Sequence, residues 1–147
     1  MTTQLTEHFT LEEFTASDTA AQMGNPNTPP EHERANLDRL AAVMEQVRTL
    51  LGDVPILVSS GYRCPEVNAA CGGAEDSAHM GGLACDFTAP SYGSAFDVCV
   101  KLQPHIHELG IDQLIYEYDS WVHLGLSEGE PRAQCFTIND SGTTVIV

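Results

Sequence analysis

In residues 77–86, Ser77-Ala78-His79-Met80-Gly81-Gly82-Leu83-Ala84-Cys85-Asp86, a histidine and an aspartate stand seven positions apart around a Gly-Gly pair. On one unbroken strand the two side chains would face opposite ways, because strand side chains alternate. Gly81-Gly82 removes that obstacle. A sharp turn there lets His79 project from a loop while Asp86 projects from the following strand, residues 83–87 (LACDF), toward the same point. Zinc in a hydrolase takes three protein ligands from His, Asp and Glu and leaves the fourth position for water. His123, on a later strand-like run, can close such a triad. Spacing alone leaves a second reading open, in which His79 is an exposed loop imidazole and His123 a hydrogen-bonded sheet histidine.

Outward from this stretch the elements alternate. Upstream, residues 55–59 (PILVS) read as a short buried strand, followed by a turn at Ser60-Gly61-Tyr62-Arg63 and a short helix over residues 65–70 that ends at Gly72-Gly73. Leu37, Leu40, Ala41, Met44, Val47 and Leu51 recur at helical spacing after Pro29-Pro30, with Gly52 as the stop. Residues 24–30 (GNPNTPP) read as a linker to a small N-terminal strap, where Thr10 and Glu13 have capping-box spacing and Leu11 and Phe14 turn inward. Downstream, residues 94–109 read as a helix carrying Phe96, Val100, Ile106 and Leu109, kinked or restarted at Pro104. Residues 111–118 and 122–126 are strand-like, with Asp119-Ser120 supplying hairpin chemistry. The fold class is α+β, a small antiparallel sheet with flanking helices.

At 147 residues the chain has the length of one domain, residues 1–147, able to bury roughly two-thirds of its unfolded surface. Its longest apolar runs are too short to insert in a membrane. Six Lys plus Arg against 21 Asp plus Glu give a net charge of −15, which offers no basic surface for nucleic acid. The start, MTTQLTEHFT, lacks a secretory signal, so the chain is expected to stay in the cytoplasm unless released, for example through a holin. Five scattered cysteines without a C-x-x-C pair read as mostly reduced thiols, with Cys64 and Cys71 left open. A monomer is expected.

Other chemistries find little support. His107-Glu108 begins an H-E pair, but Ile111 occupies the place of a second zincin histidine. His105 and His107 belong to a solvated face, and Glu31-His32-Glu33 to the acidic first turn of the long helix. Ser59 and Ser60 lack a nucleophile context, and Cys85 alternates with Asp86 and faces away from it.

Ser59-Ser60-Gly61-Tyr62-Arg63-Cys64-Pro65, Asn68, Gly72-Gly73, the 77–86 stretch and Glu117-Tyr118-Asp119-Ser120-Trp121-Val122-His123 together resemble the zinc D-Ala-D-Ala carboxypeptidases and the phage endolysins that cut L-alanyl-D-glutamate bonds. His8-Phe9-Thr10-Leu11-Glu12-Glu13-Phe14 resembles the start of small single-domain members, so the resemblance covers residues 8–126. It implies the hedgehog-type metallopeptidase fold, one Zn2+, and His79, Asp86 and His123 as its ligands.

A carboxylate must then take a proton during attack and deliver it to the leaving amine. Glu117 is the expected base. A three-residue loop over residues 119–121 would set it directly across from His123, whereas a two-residue turn would pair it with Val122 and point it away. Some relatives place the base three residues before the last histidine, where this chain has Ser120, which leaves Asp119 as an alternative base. The resemblance also implies a substrate contact for Arg63, whose guanidinium suits a peptide carboxylate or an oxyanion. Ser77 would contact substrate or brace the ligand loop. Tyr62 and Trp121 are expected as wall and core.

Two function classes follow. The first is a zinc metallopeptidase cutting D-Ala-D-Ala or L-Ala-D-Glu in the peptide of peptidoglycan, as a phage or prophage endolysin. The second is a non-catalytic zinc-containing binding module on the same fold.

Overall fold

Leu37, Leu40, Ala41, Met44 and Val47 are all 0% exposed and form the inward stripe of a 20-residue helix, α3 (Glu31–Leu50), with Leu51 buried just beyond it. Gly52, at φ 87°, ends it as expected, and the Asp53 N–H closes back on the Arg48 carbonyl at 2.9 Å. In this computed structural model residues 2–139 and 141–145 are described; the remaining positions of the 1–147 span lie outside that range. The chain divides into two compact units, one comprising residues 1–45 and 58–85, the other residues 46–57 and 86–147.

In the first unit the N-terminal strap is two short helices, α1 (Leu11–Thr15) and α2 (Asp18–Met23). The Thr10/Glu13 capping box is present and Phe14 is buried, as the spacing implied. The second helix is an addition, capped by Ser17 and closed by Gly24 at φ 67°. Residues 24–30 form no helix or strand but are more than a linker. Asn27, 0% exposed and at φ 50°, donates through Nδ2 to the Thr15 and Tyr62 carbonyls, both at 2.9 Å, and accepts the Cys64 N–H at 2.9 Å. Its amide brackets the backbone on either side of Arg63.

The same unit holds α4 (Pro65–Ala70). Cys64 and Cys71 cap its two ends, about 10 Å apart along a helix, well beyond the Cα separation that a disulfide spans. All five cysteines are free. Beyond α4 a 3-10 turn (Ala78–Gly81) leads toward strand β2 (Ala84–Thr88).

The strand expected over residues 55–59 is displaced and not buried. It is β1 (Leu57–Ser60), an edge strand with Leu57 54% exposed, while Ile56, just before it, takes the inward position. The sheet is larger than expected, with six strands in the order β1-β2-β4-β3-β5-β6. It is not wholly antiparallel. The hairpin strands β3 (Gln113–Glu117) and β4 (Trp121–Gly125) run antiparallel, but β3 pairs in parallel with β5 (Gln134–Asn139), which then turns back into β6 (Gly142–Val145). Asp112 seats β5: its carboxylate accepts a two-pronged pair of bonds from Arg132, and its carbonyl accepts the Gln134 N–H. The guanidinium holds the Asp112 carboxyl below the usual carboxylate range.

Against β3 and β4 packs α5 (Ala95–Leu102), which stops short of the expected Leu109 and restarts as a 3-10 turn (Gln103–His105) containing Pro104. Its Ser94/Asp97 capping box sets the phase so that Ala95, Val98, Cys99 and Leu102 point inward. Phe96 and Val100 face out, at 46% and 50% exposure. Burial pushes the Cys99 thiol up to about 12, which suits an inert, protonated cysteine.

Asn27→Ala leaves two carbonyls and one N–H buried without their partner, each worth roughly 1–3 kcal/mol. Chemical denaturation should therefore show a loss of about 3 kcal/mol or more, and a loss below about 1 kcal/mol would contradict the bracketing role.

Candidate metal centre

His79 sits in the 3-10 turn and is 3% exposed. Ser77 caps that turn by accepting the His79 N–H at 3.3 Å. The ring is oriented from behind: Nδ1 donates to the Gly61 carbonyl at 2.7 Å, which leaves Nε2 with the lone pair. The bond is answered in the other direction, because the Arg63 N–H donates to the His79 carbonyl at 3.1 Å.

Two glycines make this geometry accessible. At Gly61 a Cβ would collide with the Phe14 backbone, and the adjacent Tyr62 N–H donates to the Phe14 carbonyl at 2.6 Å. At Gly82, φ 69°, a Cβ would lie 2.5 Å from the Glu33 carbonyl, so α3 can approach the turn; Asn36 then donates to the Gly81 carbonyl at 2.9 Å. The glycines of both motifs thus serve close approach as well as turning.

In the second unit Asp86 lies on β2 and His123 on the neighbouring β4. Asp86 Oδ1 and His123 Nδ1 are 3.0 Å apart, and His123 is 9% exposed. Ligand atoms about 2.0–2.1 Å from a tetrahedral zinc are about 3.3 Å from one another, so this separation fits the ion. Asp86 and His123 thus bring two ligand atoms together in the second unit, and His79 offers its Nε2 in the first. Two imidazoles and one carboxylate are a donor set zinc accepts, and the carbonyl behind His79 is the kind of outer partner that metal-bound histidines keep.

The hairpin register differs from expectation. Its loop is three residues long but comprises residues 118–120, so Glu117 pairs with Trp121 and Ile115 with His123. The cause is the unforeseen β5. Its ladder with β3 continues through the Tyr118 N–H to the Ile138 carbonyl at 2.7 Å, and Tyr118 and Asp119 make the turn at φ 50° and 54°. Glu117 is therefore not directly across from His123 but diagonal to it on the same face, with Oε1 4.0 Å from His123 Nδ1.

Asp119 is exposed at the loop tip near Tyr116, whose side chain points to the opposite face from Glu117. Burial first, and then this carboxylate, raise the Tyr116 hydroxyl above its ordinary value. Arg63 is half-buried, and its Nε is buried without a hydrogen-bond partner among the described residues. Tyr62 is core, at 2% exposure, as expected. Trp121 is partly buried, and its indole N–H donates to Glu117 Oε2 at 3.1 Å.

The sequence model of the family described as Peptidase M15 matches residues 7–125. The chain belongs to the peptidase M15 family. Among curated proteins none matches it. M15 peptidases depend on zinc, and this M15 chain carries two imidazoles and a carboxylate, His79, His123 and Asp86, of the kind that zinc accepts.

Metal analysis after equilibrium dialysis should find one zinc per chain, lost in His79→Ala and in His123→Ala. Asp86→Asn should bind more weakly without losing the ion altogether, because the amide keeps an oxygen but not its charge. Full stoichiometry in both histidine variants would remove these residues from the site.

Proposed function

We propose that the chain is a zinc metallopeptidase that hydrolyses an amide bond in the peptide of peptidoglycan, D-Ala-D-Ala or L-Ala-D-Glu, and serves as a phage or prophage endolysin. The pairing of Asp86 with His123, with Glu117 on the same face, carries the reading within a chain of the M15 family. Zinc, when bound by His79, Asp86 and His123, would supply a Lewis acid and lower the pKa of the attacking water toward ~7. The protein's residues supply the rest.

Glu117 accepts the proton of the attacking water and returns it to the departing amine nitrogen, so that the C–N bond breaks without leaving an unprotonated amide anion. Its diagonal contact with His123 supports this role, and the exposure of Asp119 at the loop tip argues against the alternative base. Arg63 binds a substrate carboxylate or the developing oxyanion. The peptidoglycan peptide suits such a group, since it ends in a C-terminal carboxylate. Ser77, through the turn it caps, keeps His79 in place.

Hydrolysis of a synthetic L-Ala-D-Glu-L-Lys-D-Ala-D-Ala peptide, which contains both bonds, tests the assignments. Glu117→Gln should keep zinc and lose roughly 10²–10⁴-fold in turnover, the usual worth of general acid–base catalysis, while Asp119→Asn stays within about threefold of wild type. The reverse pattern would make Asp119 the base. Zinc-loaded wild-type protein that cleaves neither bond would favour a binding module.

On the same peptide Arg63→Ala should retain zinc and lower kcat/KM by about 10–100-fold, with Arg63→Lys recovering only part because an ammonium lacks the planar fork. Wild-type kcat/KM in Arg63→Ala would return the residue to a structural role.

A further inference from the structure

The two oxygens of Glu117 have different surroundings. Oε2 accepts the Trp121 indole N–H at 3.1 Å, and Oε1 lies 4.0 Å from His123 Nδ1. Trp121 stands directly across from Glu117 in the β3–β4 ladder, so donor and acceptor share a face by register. The indole is in turn braced. Its ring lies 5.6 Å from that of Tyr118, tilted by 39°, and Tyr118 is fastened to β5 through its backbone N–H. A glutamate on a strand has three rotatable torsions, the last of them broad, and nothing in a bare ladder selects which oxygen points at a reacting atom.

We propose that Trp121 is a positioning residue for Glu117: its indole N–H fixes Oε2 and so presents Oε1 on the side of the metal ligands. The inference rests on the reading of Glu117 as the base. It gives the tryptophan a function that a hydrophobic wall does not need. A wall requires only an aromatic surface, whereas a positioning group requires the N–H. Phenylalanine keeps a ring to pack against Tyr118 and lacks the donor, so it separates the two roles. A misplacement of about 1 Å in a reacting group is enough to lower turnover by up to 10²-fold.

Trp121→Phe, Glu117→Gln and the double variant are compared as zinc-loaded full-length chains on the same pentapeptide. Trp121→Phe should lower kcat about 10-fold, with KM changed by less than about twofold and zinc retained. In the Glu117→Gln background the same substitution should have no further effect, because it acts only through the carboxylate. Trp121 is the one tryptophan of the chain, so isotope-labelled protein gives a single indole N–H resonance. In Glu117→Leu that resonance should move upfield and exchange faster with solvent, a readout independent of turnover and of how Trp121→Phe folds.

A Trp121→Phe kcat within about threefold of wild type, equal losses in both backgrounds, or an indole resonance indifferent to Glu117→Leu would each overturn the proposal. The two readings fail separately. Glu117→Gln at full rate removes the base and the positioning role together, while an inactive Glu117→Gln beside a fully active Trp121→Phe removes the positioning role alone.

Discussion

The hydrogen bond from His79 Nδ1 to the Gly61 carbonyl joins two motifs that are separated by the whole of α4, and it does so with the ring atom that a metal does not use. It selects the tautomer of His79 and fixes the ring plane. Its geometry depends on a carbonyl that cannot shift, and the chain around Gly61 is immobilised by contacts that a Cβ would destroy. Phe14 presses its backbone onto Gly61, while the Asn27 amide holds the Tyr62 carbonyl and the Cys64 N–H. Arg63, between those anchors, is tied through its own N–H to the His79 carbonyl. The proposed ligand and the proposed substrate-binding arginine are therefore oriented by one cross-braced backbone, in which a small displacement of either motif is transmitted to the other.

In the second unit the constraint is the sidedness of the β3–β4 hairpin. One face carries Glu117, Trp121 and His123, and the other carries Leu114, Val122 and Leu124, all 0% exposed, toward α5. A one-residue slip of register would exchange chemistry for core, so burial of the apolar face holds the polar face in alignment. The parallel strand β5 strengthens that specification through its ladder with β3 and through the Tyr118 N–H, which places the turn. A bulky residue at positive φ in Tyr118 is unfavourable in isolation, and it is held where the ladder and the ring of Trp121 both act on it.

Local signals in the sequence were legible where the physics is local. The inward stripe of α3, its Gly52 stop, the Thr10/Glu13 capping box and the β2 strand all follow from periodicity and capping. His79, Asp86 and His123 stood out because Gly81-Gly82 lets a loop and a strand converge, although only the resemblance raised them above a sheet histidine and a loop histidine. What depends on long-range pairing was not legible. Residues 134–139 (QCFTIN) give no clean alternation, since Cys135 and Phe136 stand side by side, and without β5 the hairpin loop is placed one residue too late. Asn27 sits among prolines and glycine in a stretch whose composition says linker, and its three bonds go to residues distant in sequence. The Trp121–Glu117 bond was hidden by the same register error, because the expected pairing put His123 where Trp121 stands.

The most direct measurement is mass spectrometry of purified peptidoglycan digested by the zinc-loaded chain, by the chain after chelation, and by the chelated chain restored with one equivalent of zinc. The account predicts a single new type of peptide end, from D-Ala-D-Ala or from L-Ala-D-Glu, that vanishes on chelation and returns with the metal. Undiminished cleavage by the metal-free chain, or stoichiometric zinc with no new ends, would contradict it.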